Sequence, residues 1–224
     1  MARIYLLFDS SAASHLYVDP AQYTELFRIL MAGRLAGRVF FYLPTFCVAE
    51  VFNIFAKYHY RKQLLSPELY QETCDKFSEH IHDRHTFYCY DLNRYHNLNL
   101  SRRRVYRTEH ETLTEYEAVG ANPRTTSEDK VREMYRAKFP KRSIGSHYLS
   151  GADLLVIAMN LELIRIVGER VYLVTKDRRM VEIARGITAE EAGTGRACPL
   201  KIIDLNDVQK SLGQARAICG VRER

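Results

Sequence analysis

Short, continuous apolar runs alternate along this chain with longer segments whose apolar residues recur every three or four positions. Ile4–Phe8, Val39–Leu43, Val171–Thr175 and Leu200–Ile203 are runs of the first kind and predict buried strands. His85–Leu92 alternates and predicts another. Asp9, Ser10 and Ser11 follow the first run as turn and cap residues. Tyr23, Leu26, Phe27, Leu30 and Met31 then mark a helix from Pro20 to Arg34. Helical spacing also runs from Thr45 to Lys62 and from Pro67 to Asp83, where Pro67 after Ser66 suits a first helical turn. Leu149–Ile166 is apolar on nearly every face and predicts a buried helix, and Asp177–Arg185 predicts a short one. Strands alternating with helices give the fold class: α/β, three layers built on a mainly parallel five-stranded sheet.

One segment breaks the alternation. From Asn97 to His147 the chain is polar and basic, with Arg102, Arg103, Arg104 and Arg107, then Arg124, Lys130, Arg132, Arg136, Lys138, Lys141 and Arg142. The reading is a single domain over residues 1–224 with an inserted basic arm at about 97–147 and a C-terminal tail at about 206–224, a weak helix that frays.

Charge changes the picture next. The formal net charge is +6 and the sequence pI about 9.0, which suits a polyanionic partner such as RNA. Arg102, Arg103, Arg104 and Arg107 are the candidate RNA contacts; a solvated exposed face accounts for them equally. Tyr88, Tyr90, Tyr95, Tyr106, Tyr116, Tyr135 and Tyr148 interleave with the arm and suit either base stacking or core packing. The five cysteines are scattered with no C-x-x-C pair, so a disulfide framework or structural zinc site is not expected. The first apolar run is too short for a signal-peptide core, and no stretch reaches a membrane span. The expected location is cytoplasmic.

Four acids then stand out. Asp9 ends a strand run, Asp153 opens the buried helix after Ser150, Gly151 and Ala152, and Asp177 follows a strand run. Each reads equally as a helix N-cap. Glu50 differs, because Cys47, Val51, Ile54, Phe55 and Tyr58 recur around it at helical spacing, so it interrupts an apolar stripe. An acid beside core-forming residues is costly unless something positive meets it. A parallel sheet would bring strand ends together, and four converging acids imply a hard divalent cation, Mg²⁺ or Mn²⁺. Other chemistries fit less well. No G-x-x-x-x-G-K-[ST] loop is present, no second aspartate follows Asp9 by two residues, and His80, His82 and His85 suit an exposed helix end.

The strand-ending Asp9 with Ser10, Glu50 in AEVFN, Asp153 in ADLLVIA and the segment VYLVTKD ending at Asp177 occur in an order and spacing that resemble the PIN-domain family. The resemblance covers most of the chain outside the basic arm. It implies a metal-dependent endoribonuclease similar to the VapC-type toxins of toxin–antitoxin pairs. Asp9, Glu50, Asp153 and Asp177 would be the metal-binding catalytic acids, with Ser10 and Thr175 supporting them. A small antitoxin protein and homodimerisation are partners it implies. Two other readings share the sequence: a non-catalytic RNA-binding or assembly protein of this fold, and a DNA-directed, structure-specific nuclease.

Overall fold

The structure is a computed structural model and describes residues 3–18, 20–83, 86–91, 151–168, 170–193 and 200–220. In chain order the elements are β1 (Ile4–Phe8), α1 (Ser10–Val18), α2 (Pro20–Leu35), β2 (Val39–Pro44), α3 (Thr45–Ala56), α4 (Pro67–His82), β3 (Phe87–Tyr90), α5 (Gly151–Val167), β4 (Val171–Thr175), α6 (Arg178–Gly193), β5 (Lys201–Asp204) and α7 (Val208–Cys219). The strands pair in the order β3-β2-β1-β4-β5, and every ladder is parallel. The fold is therefore α/β on a five-stranded parallel sheet, with helices on both faces.

The layers follow from the handedness of parallel crossovers. Steps from β1 to β2 to β3 run one way and place α1 to α4 on one face. The step from β3 back past β1 to β4, and on to β5, runs the other way and places α5 and α6 opposite. Helix contacts agree: α1 meets α2, α3 and α4, whereas α5 meets α6. Strands buried on both faces read as continuous apolar runs, and Leu6, Leu7 and Phe8 of β1 are completely inside. Under α3 and α4 the filling is aromatic. Phe8 meets Phe41 and Phe87 edge-on at 5.3 and 5.4 Å, and Phe55 meets Phe77 at 5.6 Å. The opposite face of the sheet carries a second row of ring contacts through Tyr5, Phe40, Tyr42, Tyr88 and Tyr90.

Four elements differ from the pattern-based expectation. Helix α1 was not expected, because Ser10, Ser11, Ala12, Ala13 and Ser14 offer little apolar periodicity; its start is fixed by a cap instead. The helix expected to continue to Lys62 changes at Ala56 into a π-helical turn, Lys57–Arg61, and Gln63 then adopts a positive φ of 52°. Helix α6 continues past Arg185 to Gly193.

The tail is no frayed helix. The Asp207 carboxylate accepts from the Lys210 N–H at 3.1 Å, and Gly220 closes the C-terminus in the left-handed region at φ 65°. Its Ala215 and Cys219 are buried, and it lies on α2, where Gly33 permits the approach. A Cβ at Gly33 would stand 2.5 Å from Cys219 Sγ and 3.0 Å from Val39 Cγ2. The basic arm at 97–147, with Arg102, Arg103, Arg104 and Arg107, lies outside the described residues. Among the described residues no helix is long and apolar enough to cross a membrane.

Candidate active site

The direction of strand crossover reverses between β1 and β4, and that is where an open parallel sheet leaves a crevice beyond its carboxyl ends. Phe8 registers with Val174, and the Asp9 N–H donates to the Val174 carbonyl at 3.1 Å. Asp9 is thereby set beside Thr175. Its side chain is buried and fully engaged. Oδ2 accepts from Thr175 Oγ1 at 2.6 Å and from Ser11 Oγ at 2.8 Å, while Oδ1 accepts from the Ala12 N–H at 2.6 Å. The last bond makes Asp9 the N-cap of α1.

Asp177 is built in the same way. Its Oδ1 accepts from the backbone N–H groups of Arg179 at 2.7 Å and Met180 at 3.4 Å, which caps α6. Its own N–H donates to Thr175 Oγ1 at 3.0 Å. Thr175 is therefore the hinge-pin of the pair, accepting from one acid's backbone while donating to the other's carboxylate. Ser11 adds a second tie, since its Oγ also accepts from the Lys176 N–H at 3.1 Å.

The capping reading of Asp9 and Asp177 is thus correct, and capping alone does not account for the electrostatics. Burial pushes the Asp9 carboxyl up to about 7, and the nearby charge of Asp177 pushes the same way. The hydrogen bonds from Thr175, Ala12 and Ser11 act against that rise without cancelling it.

The remaining two acids come from different layers. Pro44 ends β2, and α3 begins at once, which carries Cys47 over the strand ends and Glu50 one turn further. Burial pushes the Cys47 thiol far above its ordinary range, and the charges of Glu50, Asp9 and Asp153 all push it the same way. Asp153, in the first turn of α5, enters from the opposite layer. Glu50 is half-buried and makes no hydrogen bond or ion pair with a described residue. No three of the described His, Cys, Asp and Glu side chains stand close enough to ligate one ion together.

The supporting serine is Ser11. Ser10 contributes its backbone N–H to Cys47, and its hydroxyl makes no hydrogen bond with a described residue. Sequence reading took Ser11 only as a turn or cap residue and Cys47 only as part of the apolar stripe around Glu50. For Ser11 a signal existed, because a hydroxyl two residues beyond a strand-ending Asp can fold back onto the capping carboxylate. Among the histidines, His80 Nδ1 lies 2.7 Å from the Tyr17 hydroxyl inside the α1–α4 packing, and His82 Nδ1 lies 2.8 Å from the Ser78 carbonyl on its own helix. Neither faces the acids' end of the sheet.

No family model matches the chain, and neither a curated protein nor a solved structure matches it.

Proposed function

We propose that the protein is a metal-dependent endoribonuclease that hydrolyses RNA phosphodiester bonds at Asp9, Glu50, Asp153 and Asp177. The observation that carries this reading is the pair Asp9 and Asp177, tied through Thr175 at the carboxyl ends of β1 and β4, together with a half-buried Glu50 that makes no hydrogen bond or ion pair with a described residue. Beyond their capping bonds, burying the Asp9 carboxylate beside Asp177 costs stability, since desolvation penalises the charge and its like-charged neighbour adds to the penalty. A divalent cation removes both costs. Mg²⁺ keeps several of its waters and needs only one or two direct carboxylates, so the spread of these acids fits a hydrated ion.

Asp9 and Asp153 would be the principal ligands, with Glu50 and Asp177 completing the site through water. Bound there, Mg²⁺ or Mn²⁺ supplies a water of lowered pKa and positive charge beside the phosphoryl oxygens. Thr175 and Ser11 keep Asp9 in one rotamer, and the N–H groups opening α6 keep Asp177 in one. Glu50, which makes no hydrogen bond with a described residue, would take a proton from the attacking water. The resemblance to PIN-domain nucleases agrees with this assignment and extends it to a toxin with a small antitoxin partner and a homodimeric state. The net charge of +6 favours a polyanion over a small neutral substrate.

Purified protein incubated with single-stranded RNA, its deoxy counterpart and a folded DNA flap tests the reading. Cleavage of RNA in Mg²⁺ or Mn²⁺ is expected, abolished by EDTA and lowered at least about 100-fold by Asp153→Asn or Glu50→Gln with unchanged circular dichroism. Cleavage that persists in EDTA, or full activity in both variants, would overturn it. Cleavage confined to the DNA flap would move the assignment to a structure-specific nuclease. RNA binding with no cleavage would make the protein an assembly factor.

A further inference from the structure

The opposite end of the sheet carries an unassigned basic cavity. Arg3 precedes β1, Arg170 precedes β4 and Lys201 opens β5, so three adjacent strands each begin with a cation. Together with Tyr5, Val167 and Gly168 these residues line a cavity of about 470 Å³, within the size range of small-ligand sites. None of the three cations makes an ion pair or a side-chain hydrogen bond with a described residue. Two are carried on aromatic faces, which spares them the need for an acid. The Arg3 guanidinium carbon lies 5.5 Å from the Phe40 ring centre, and Lys201 Nζ lies 5.8 Å from that of Tyr172.

The local backbone opens the cavity. Helix α5 ends at Val167, and Gly168 turns the chain at φ 87°, a conformation that favours glycine. A Cβ at Gly168 would meet nothing within 4 Å. The α5 C-terminus contributes only about half a negative charge, and its Ile164 carbonyl is already taken by the Gly168 N–H at 2.8 Å. Among the described residues, three cations line this one space with no acid beside them.

We propose that this cavity is a phosphate-binding site, distinct from the acid cluster, that takes the phosphate of a nucleotide or of a nucleic-acid strand. Arginine matches phosphate oxygens through paired N–H donors and lysine adds a point charge, while Tyr5 offers an edge for the attached sugar or base. The seven residues from Arg3 to Asp9 follow β1, and their six steps span roughly 20 Å at strand rise. A ligand in the cavity therefore leaves the acids uncovered. The site does not depend on the acids cleaving anything.

The test is fluorescence anisotropy of a 3′-labelled, 5′-phosphorylated 12-nucleotide RNA with the full-length protein in EDTA, which prevents turnover. Arg3→Glu and Arg170→Glu are each expected to weaken binding about tenfold and to lower the slope of log Kd against log salt by about one. Lys210→Glu, the same charge change at an exposed position on α7, should change affinity less than twofold. Arg170→Gln, which removes only the charge, should move in the same direction should the reversal fail to fold. Competition by millimolar AMP or inorganic phosphate identifies a phosphate monoester as the ligand; its absence, with the arginine dependence retained, identifies the strand's internal phosphates. Equal affinities and salt slopes for the Arg3, Arg170 and Lys210 variants would overturn the proposal, whatever the outcome of cleavage assays.

Discussion

Asp9 accepts hydrogen bonds at both oxygens and is still driven towards its neutral form, because three bonds do not repay complete removal of a carboxylate from water beside Asp177. The consequence is a stability that depends on pH. In the unfolded chain Asp9 ionises near 3.8, and in the folded chain near about 7. Below the first value both states hold the proton and folding carries no penalty from this group. Between the two values the unfolded state alone gains by ionising, so stability falls as pH rises and levels off above the second value. For the metal-free protein the loss is of order 4 kcal/mol. Urea titrations in EDTA from pH 4 to 8 should show this decline in the wild type and a flatter profile in Asp9→Asn. Mg²⁺ should restore the wild type at pH 8 and leave the variant unchanged. Parallel pH profiles for the two proteins would contradict the account.

Thr175→Val tests the link between the two strand-end acids. It removes the donor to Asp9 Oδ2 and the acceptor of the Asp177 N–H, which should destabilise the fold by about 1–3 kcal/mol. Loss of the tie should lower the rate of RNA cleavage by about 10- to 100-fold, read as kcat against the melting temperature; a Thr175→Ser variant should recover most of both. At this scale the sequence marked Asp9, Glu50, Asp153 and Asp177 as candidates. It could not show which serine serves them, because Ser10 and Ser11 are equivalent until the cap geometry aims one hydroxyl at Asp9 and turns the other away.

At the level of elements, periodicity found the strands and the long helices because their apolar faces are buried against one sheet. It missed α1, whose start is set by one carboxylate and whose small residues pack close without forming a stripe. It undervalued α7 for a related reason. The attachment of α7 depends on the absence of a side chain at Gly33, and a missing atom leaves no mark in a hydrophobic pattern. Gly33→Ala should therefore destabilise the protein by about 1–3 kcal/mol through overpacking. Cys219→Ala removes the atom that the new methyl meets first, so the double variant should regain much of the loss. A thermal-denaturation cycle over the four proteins measures the coupling, and additive effects would show that α7 is held elsewhere.

For the whole molecule, alternation of strand and helix was enough to indicate a parallel α/β sheet, since parallel neighbours require crossovers. Strand order was not legible, because nothing local in β1 says that β4 will be its second neighbour. That order decides the site. It sets Asp9 beside Thr175, brings α3 over the same strand ends and delivers Asp153 from the far layer.

The bond from Thr175 to Asp9 joins residues 166 positions apart, and this has a meaning in time as well as in space. During synthesis β1 is made long before β4, so one of its edges stays open until Val171–Thr175 exist. Contacts of such long separation close slowly, and the exposed strand edge is a hazard while it waits. Nascent chains halted before Val171 should be protease-sensitive and prone to associate, whereas chains halted beyond Cys219 should be protected once clear of the ribosome. The enzyme proposed here would thus be unable to cut RNA until β4 has emerged, since the strand needed to orient its first acid is made long after that acid.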